Sequence, residues 1–341
     1  TVTQFTLRPA MGVKLSKITT LSNDLSLALA AHPIRIEAPI PGKPLVGIEV
    51  PNKKSAIVGL RDLFEGDEFK KNKYFLPLVL GRDVAGFPVY SGLEKMPHLL
   101  IAGATGTGKS VGINAILLSL LYRHSPDVLK LILVDPKRVE LSLYNGIPHL
   151  ITPVIVDTKK VVNALRWSVR EMEKRYEKLS ESGSRDIFSY NAKQTAVQKE
   201  IMPFIVIVID ELADLMAAHG RDVEAAIVRI AQMARAVGIH LIVSTQRPSV
   251  EVITGLIKAN ITTRMAFQVA SQVDSRTILD MSGAEKLLGN GDMLYQAGDT
   301  SKPRRLQGAF VTEKEVKDVV KFIKQQTEQL EEEGETSGEP D

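Results

Sequence analysis

Eight consecutive residues, Gly103-Ala104-Thr105-Gly106-Thr107-Gly108-Lys109-Ser110, follow the pattern G-x-x-x-x-G-K-[ST] directly after the apolar run His98-Leu-Leu-Ile-Ala102. Phosphate chemistry asks for these residue types at this spacing. The three glycines let the backbone curl until successive N–H groups face inward, where a Cβ would obstruct a phosphate oxygen. A helix opening near Lys109 adds unpaired N–H groups and the positive end of its dipole. Lys109 supplies a mobile cation for the β- and γ-phosphates, and the Ser110 hydroxyl is placed to ligate Mg²⁺. The run from Gly103 to Val111 is therefore the expected cradle for ATP. The competing reading, a glycine-rich turn that matches by accident, leaves the strand before it and the helix after it unexplained.

A second group of polar residues has the same character. Phe204-Ile-Val-Ile-Val-Ile-Asp210-Glu211 is an apolar strand that ends in two carboxylates. Beside a phosphate cradle, Asp210 would hold the Mg²⁺ shell and Glu211 would polarise the attacking water as general base. Two acids capping the helix over 210–217 is the plainer alternative. Leu241-Ile-Val-Ser-Thr-Gln246 also ends in small polar residues and an amide. When the acidic strand ends in Asp-Glu, an extra strand is expected between it and the phosphate-loop strand. Gln246 at the tip of that strand would touch the γ-phosphate or water and report hydrolysis to the segment behind it, unless it is an ordinary polar strand end. Asp135-Pro-Lys137-Arg138 follows another strand and is open to three readings: nucleotide contact, subunit interface or solvation.

These residues need a scaffold that brings several strand ends to one edge. From about residue 81 the chain alternates apolar strands with helices, the signature of an α/β fold with a mostly parallel sheet. Leu99-Leu-Ile-Ala102, Leu131-Ile-Leu-Val134, Ile205-Val-Ile-Val-Ile209 and Leu241-Ile-Val243 are short and continuously apolar, as strands buried on both faces should be. Val161, Leu165, Val169, Met172, Tyr176 and Leu179 fall on one stripe of a single helix. Residues 1–80 instead read as a small α+β unit for assembly or positioning, with strands at Val2–Arg8, Ile34–Ile36 and Val46–Val50. Residues 81–325 form the main domain, and residues 326–341 read as an acidic disordered tail or linker.

Bulk composition narrows the classes further. The chain has 341 residues and no cysteine, which removes disulfides, thiolate metal sites and cysteine nucleophiles. No apolar run approaches the ~20 residues of a membrane span. The opening at Thr1, already in strand alternation, leads us to expect a piece of something longer. Net charge is +3, but seven of the 40 acidic residues lie in 328–341; the remaining 33 against 43 basic give +10 over residues 1–327. A basic body is compatible with a nucleic-acid partner.

The sequence resembles the FtsK/SpoIIIE double-stranded DNA translocases. The resemblance is carried by Met96 through Ser110, Val134-Asp-Pro-Lys137, Tyr144-Asn-Gly-Ile-Pro-His149, Ala231 through Ala236, and Gly238-Ile-His240. It continues in Ser244-Thr-Gln-Arg-Pro-Ser-Val250, Val252 through Asn260, Asp274 through Asp280, Gly283 through Gly289 and Gly308-Ala-Phe-Val311. Pro9 through Val13 and Pro41 through Pro44 extend it to the family's α domain. It implies a RecA-like P-loop NTPase that assembles as a homo-oligomer, a hexameric ring. The ring threads double-stranded DNA and moves it with ATP and Mg²⁺ during chromosome segregation and cell division. It also implies sites shared between subunits, completed by an arginine from the neighbour. Arg264 is the first candidate for that role and Arg276 the second, with surface salt bridging as the alternative. Arg247, Lys258 and Arg185 are the candidate DNA contacts, made to phosphates because a translocase slides over any sequence.

The family's membrane region and its carboxy-terminal γ domain have no counterpart in these residues, so no membrane contact is expected of this piece. The resemblance implies a cytoplasmic motor portion of a protein usually anchored in the bacterial cell membrane. A related FtsK-like ring ATPase that moves protein substrates in a secretion system is the second reading. The single motor cassette and the Thr-Gln-Arg-Pro-Ser-Val segment count against it.

Overall fold

A computed structural model describes residues 1–336. Three short strands, β1 (Val2–Leu7), β2 (Arg35–Glu37) and β3 (Val46–Pro51), form a small antiparallel sheet in the order β1-β3-β2. Nine more build one large sheet: β4 (Pro77–Asp83), β5 (Pro88–Gly92), β6 (His98–Ala102), β7 (Leu129–Val134), β8 (Phe204–Ile209), β9 (Ile239–Thr245), β10 (Thr263–Phe267), β11 (Asp292–Gln296) and β12 (Arg304–Gly308). Their order is β5-β4-β12-β11-β10-β6-β9-β8-β7. The five from β10 to β7 are parallel. The other four form an antiparallel wing beside β10.

The apolar strands foreseen in the parallel half are all present, with β9 between β6 and β8 as expected. Each buries both faces. Leu99 and Ile101 enter the core on one side of the sheet, and Leu100 and Ala102 enter the core on the other. Helix Lys109–Arg123 covers the first side; helices Thr158–Glu181 and Leu212–Met233 pack on each other over the second. The result is a three-layer α/β/α body. The wing was not foreseen, because β11 and β12 carry charge at positions that prove to be buried. Asp292 and Arg305 are 1% and 4% exposed and neutralise each other, with Arg305 Nη2 2.6 Å from Asp292 Oδ2.

Two expected boundaries move. The small sheet ends at Pro51, whereas Leu60, Leu63 and Phe69 already pack in the same core as β4. The border therefore falls between residues 52 and 59, not at 80. Helix-forming residues that precede the first strand of a sheet can belong to that sheet's cover, and here they do. At the other end, helix Glu313–Thr336 carries 326–336 in regular helix, where a disordered tail was expected. Glu, Lys and Gln favour helix intrinsically, and buried Val316 and Val320 anchor its start on the main core. Residues 337–341 of that expected tail lie outside the described residues.

The two domains are joined by charge as well as chain. Glu49 of β3, 1% exposed, accepts hydrogen bonds from Arg305 Nη1 at 2.7 Å and from Arg35 Nη1 at 2.8 Å. Arg305 thus bridges Glu49 of the small domain and Asp292 of the large one. Stranding either charge by removing its partner costs about 3–5 kcal/mol in buried networks of this kind. The small domain is consequently fixed to the two strands that end beside the phosphate loop.

Candidate nucleotide site

Parallel strands deliver their carboxyl ends to one edge, where ligands of open α/β sheets bind. β6, β8 and β9 bring the 103–110 loop, Asp210–Glu211 and Ser244–Gln246 to that edge. The loop itself depends on glycine geometry. Gly108 has φ of +110°, and a Cβ there would lie 2.5 Å from the Gly291 nitrogen. Gly291 N–H donates to the Thr107 carbonyl at 2.8 Å, so the antiparallel wing braces the loop from the side opposite β9. Thr107, 5% exposed, also donates its hydroxyl to the Ala104 carbonyl at 2.6 Å, closing the turn.

At the centre sits Lys109, 3% exposed. Its Nζ donates to Asp210 Oδ1 at 2.8 Å, to the Asp210 carbonyl at 2.9 Å and to Ser244 Oγ at 3.1 Å. Ser244 Oγ in turn donates to the Asp210 carbonyl. One ammonium therefore ties the first turn of helix Lys109–Arg123 to the ends of β8 and β9. Asp210, 1% exposed, has its charge matched by that lysine.

Glu211 is fully buried and holds several donors. Its Oε1 accepts from Thr245 Oγ1 at 2.6 Å, its Oε2 from the Gln246 amide at 3.2 Å, and Lys137 Nζ lies 3.2 Å from Oε2. Burial pushes the Glu211 carboxyl up. The Thr245 hydroxyl, the Gln246 amide and the Lys109 and Lys137 cations outweigh that, and its pKa lies below the ordinary glutamate value. Glu211 also accepts from Ala213 N–H at 3.3 Å, so it caps the following helix as the plainer reading foresaw. Capping and the chemistry expected of an ionised carboxylate are compatible here.

The motif left open, Asp135-Pro-Lys137-Arg138, divides by residue. Asp135 is buried and accepts from the Glu140 and Leu141 amides at 3.0 and 2.9 Å, shaping its own loop. Lys137 belongs to the site through Glu211. Gln246 accepts from Thr105 Oγ1 at 2.7 Å, joining the tip of β9 directly to the phosphate loop. Lys109 and Gln246 open onto a cavity of about 330 Å³ lined also by Ala104, Thr105, Gly106, Gly108, Ser110 and Val111, with Gln246 and Glu140 on one side. Asn290, Gly291 and Phe310 line the other side. Asn290 and Gly291 were not flagged in the sequence, and Phe310 only as part of the Gly308–Val311 run that carries the resemblance: they lie some 180 residues or more beyond the loop and reach it only through the wing.

The remaining candidates are scattered. Arg264 is 8% exposed and its guanidinium is spent inside its own subunit. It donates to the carbonyls of Ile278 at 3.2 Å and Lys258 at 3.0 Å and to Asp280 Oδ2 at 2.5 Å. Lys258 Nζ donates to the other oxygen of Asp280 at 2.6 Å. Both residues are thus placed in one internal knot, away from the cavity. A strand position in β10 buries Arg264, and no local sequence feature distinguishes that from exposure. Arg276 is exposed on helix Gln272–Leu279, and Arg247 is exposed just after β9. Arg185, exposed, pairs with its neighbour Asp186 at 3.3 Å and lies near Phe204 and His240, at the opposite edge of the sheet from the phosphate loop.

A parallel core in which the strand bearing Gln246 separates the phosphate-loop strand from the acidic strand defines a RecA-like P-loop NTPase, a nucleotide-binding class. The FtsK/SpoIIIE family profile matches residues 59–250, more than half of the chain, and the FtsK alpha domain profile matches residues 1–52. The chain belongs to the FtsK/SpoIIIE family. It is 57% identical, over 95% of its length, to the DNA translocase FtsK of Caldanaerobacter subterraneus subsp. tengcongensis, but spans only 45% of that relative. Among solved structures, the pCW3 conjugation coupling protein TcpA, in its monomer form with ATPgS, superposes with a TM-score of 0.69 at 26% identity, covering 94% of this chain and 89% of TcpA. The cytoplasmic domain of the Type VII secretion ATPase EccC of Thermomonospora curvata gives 0.68 at 25% identity, over 79% of this chain and 34% of that one. Among the described residues no helix is long and apolar enough to cross a membrane.

The internal knot makes a direct prediction. Arg264→Ala is expected to lower the unfolding free energy by about 2 kcal/mol, because two carbonyls and Asp280 Oδ2 lose their donor. Urea denaturation followed by circular dichroism measures it. A variant as stable as the parent would remove the structural role.

Proposed function

We propose that the chain is the motor of an ATP-driven duplex DNA translocase, working as a hexameric ring in chromosome segregation and cell division. The observation that carries the reading is the 57% identity to a protein named DNA translocase, spread over both the small domain and the motor. The likeness to EccC supports the second reading, a ring ATPase that moves protein, but at 25% identity over 79% of the chain it supports it less. The family's usual arrangement, a cytoplasmic motor tethered to the membrane by residues beyond this chain, is part of the proposal.

In this reading the loop N–H groups and Lys109 bind the phosphates. Mg²⁺ fits the donors present, because Ser110 and Asp210 offer hard oxygens. No group of three or more His, Cys, Asp or Glu that could hold a metal ion occurs among the described residues. Phosphate oxygens and water would then supply its remaining ligands, the usual way this ion is held. Bound there, the ion neutralises charge on the transferring phosphoryl group. Glu211, kept ionised by its neighbours, takes the proton of the attacking water. Gln246, joined to Thr105, passes the state of the loop to the segment that begins with Arg247. Arg247 leads the phosphate contacts to DNA, since Lys258 is paired with Asp280 and Arg185 sits at the far edge. ATP is hydrolysed at subunit interfaces, and Arg276, exposed where Arg264 is not, becomes the first candidate for the arginine supplied in trans.

The primary test is ATP turnover with and without linear duplex, together with ATP-dependent displacement of a triplex-forming strand. Strong stimulation by duplex and strand displacement are expected, with both lost in Glu211→Gln. Turnover indifferent to duplex in an assembled ring would end the translocase reading. For the trans arginine, Arg276→Ala and Lys109→Ala subunits should each be inactive alone and regain part of the activity when mixed, because one intact composite site can form. No recovery in rings verified as mixed would remove Arg276 from that role.

A further inference from the structure

Phe310 is an aromatic residue with no ring partner among the described residues, and it lines the same cavity as the phosphate loop. It is 44% exposed between Ala309 and Val311, which are 4% and 6% exposed. In an extended segment that alternation sends Phe310 outward while its neighbours anchor inward. Its backbone is held at both polar groups: Phe310 N–H donates to the Val58 carbonyl at 2.7 Å, and its carbonyl accepts from Leu60 N–H at 3.0 Å. A rigidly mounted, exposed ring at the mouth of a cavity calls for a partner.

The sheet order says which part of a ligand would reach it. Gln246, Asp210 and Glu211 lie on the β9–β8 side of the loop, the side where the terminal phosphate is handled. Phe310 follows β12, on the wing side. The cavity lining also includes Ser110 and Val111 and the small residues Gly291, Gly308 and Ala309. A ligand with its phosphates in the loop would lay its other end toward the wing, against these small residues and the Phe310 ring. A planar heterocycle fits such a slot.

We infer that Phe310 is the base-stacking platform of the nucleotide site, a binding residue that sets affinity for the nucleoside end of the triphosphate. The inference rests on the nucleotide reading above and adds the subsite. Stacking reads a π-face and not a hydrogen-bond edge, so the platform serves any purine.

The test compares the parent, Phe310→Ala and Phe310→Trp by calorimetric titration with ATP, GTP and inorganic tripolyphosphate. Phe310→Ala is expected to weaken ATP and GTP by about tenfold or more and to leave tripolyphosphate unchanged, while Phe310→Trp retains nucleotide affinity. Equal weakening of all three ligands would mean a structural role, and unchanged ATP affinity would mean no contact; either overturns the inference. A parent protein that binds none of the three would instead overturn the nucleotide reading itself.

Discussion

The ion pair between Lys109 and Asp210 is the constraint around which the site is organised. Both groups are almost completely buried, so each needs the other. The pair exists because a parallel sheet with β9 inserted between β6 and β8 brings three strand ends within reach of one ammonium. Ser244 completes the arrangement: it accepts from Lys109 and donates to the Asp210 carbonyl, so the strand end stays hydrogen-bonded whichever partner the lysine takes. On the proposed function, a nucleotide phosphate would replace Asp210 as the partner of Lys109, and binding would be an exchange of one anion for another.

A second constraint comes from the wing. Gly108 lies so close to Gly291 that a Cβ on Gly108 would sit 2.5 Å from the Gly291 nitrogen, and Asp292, next in sequence, is paired with Arg305. Arg305 reaches Glu49 of the small domain. A continuous set of contacts therefore runs from the phosphate loop through two strands to the small sheet. It accounts for why β11 and β12 carry charges inside a core: the charges fasten one domain to the other.

Much of the candidate site's arrangement was legible in the sequence because it is local. The phosphate loop, Asp210–Glu211 and Gln246 each occupy the end of a short apolar strand, and the topology then brings them together. What could not be read is what depends on contacts across the sheet. Arg264 has the residue type of a catalytic arginine, yet a β10 position buries it against carbonyls contributed from positions 258 and 278. Lys137 acquires its place only through Glu211, 74 residues away. Asn290, Gly291 and Phe310 reach the cavity only because the antiparallel wing folds beside β10. The helix through Thr336 was missed for a different reason: an acidic run has both the composition of a solvated tail and a strong helix propensity, and packing at Val316 and Val320 decides between them.

The exchange of partners at Lys109 can be measured directly with Asp210→Asn and ATP in the presence of a chelator. Without Mg²⁺ the only role left to Asp210 is to hold the lysine and repel the phosphates. The variant is therefore expected to bind metal-free ATP several-fold more tightly than the parent, while losing turnover when Mg²⁺ is restored. Metal-free binding weaker than the parent's would contradict the account, because it would mean that Asp210 supports the phosphate site instead of competing for its lysine.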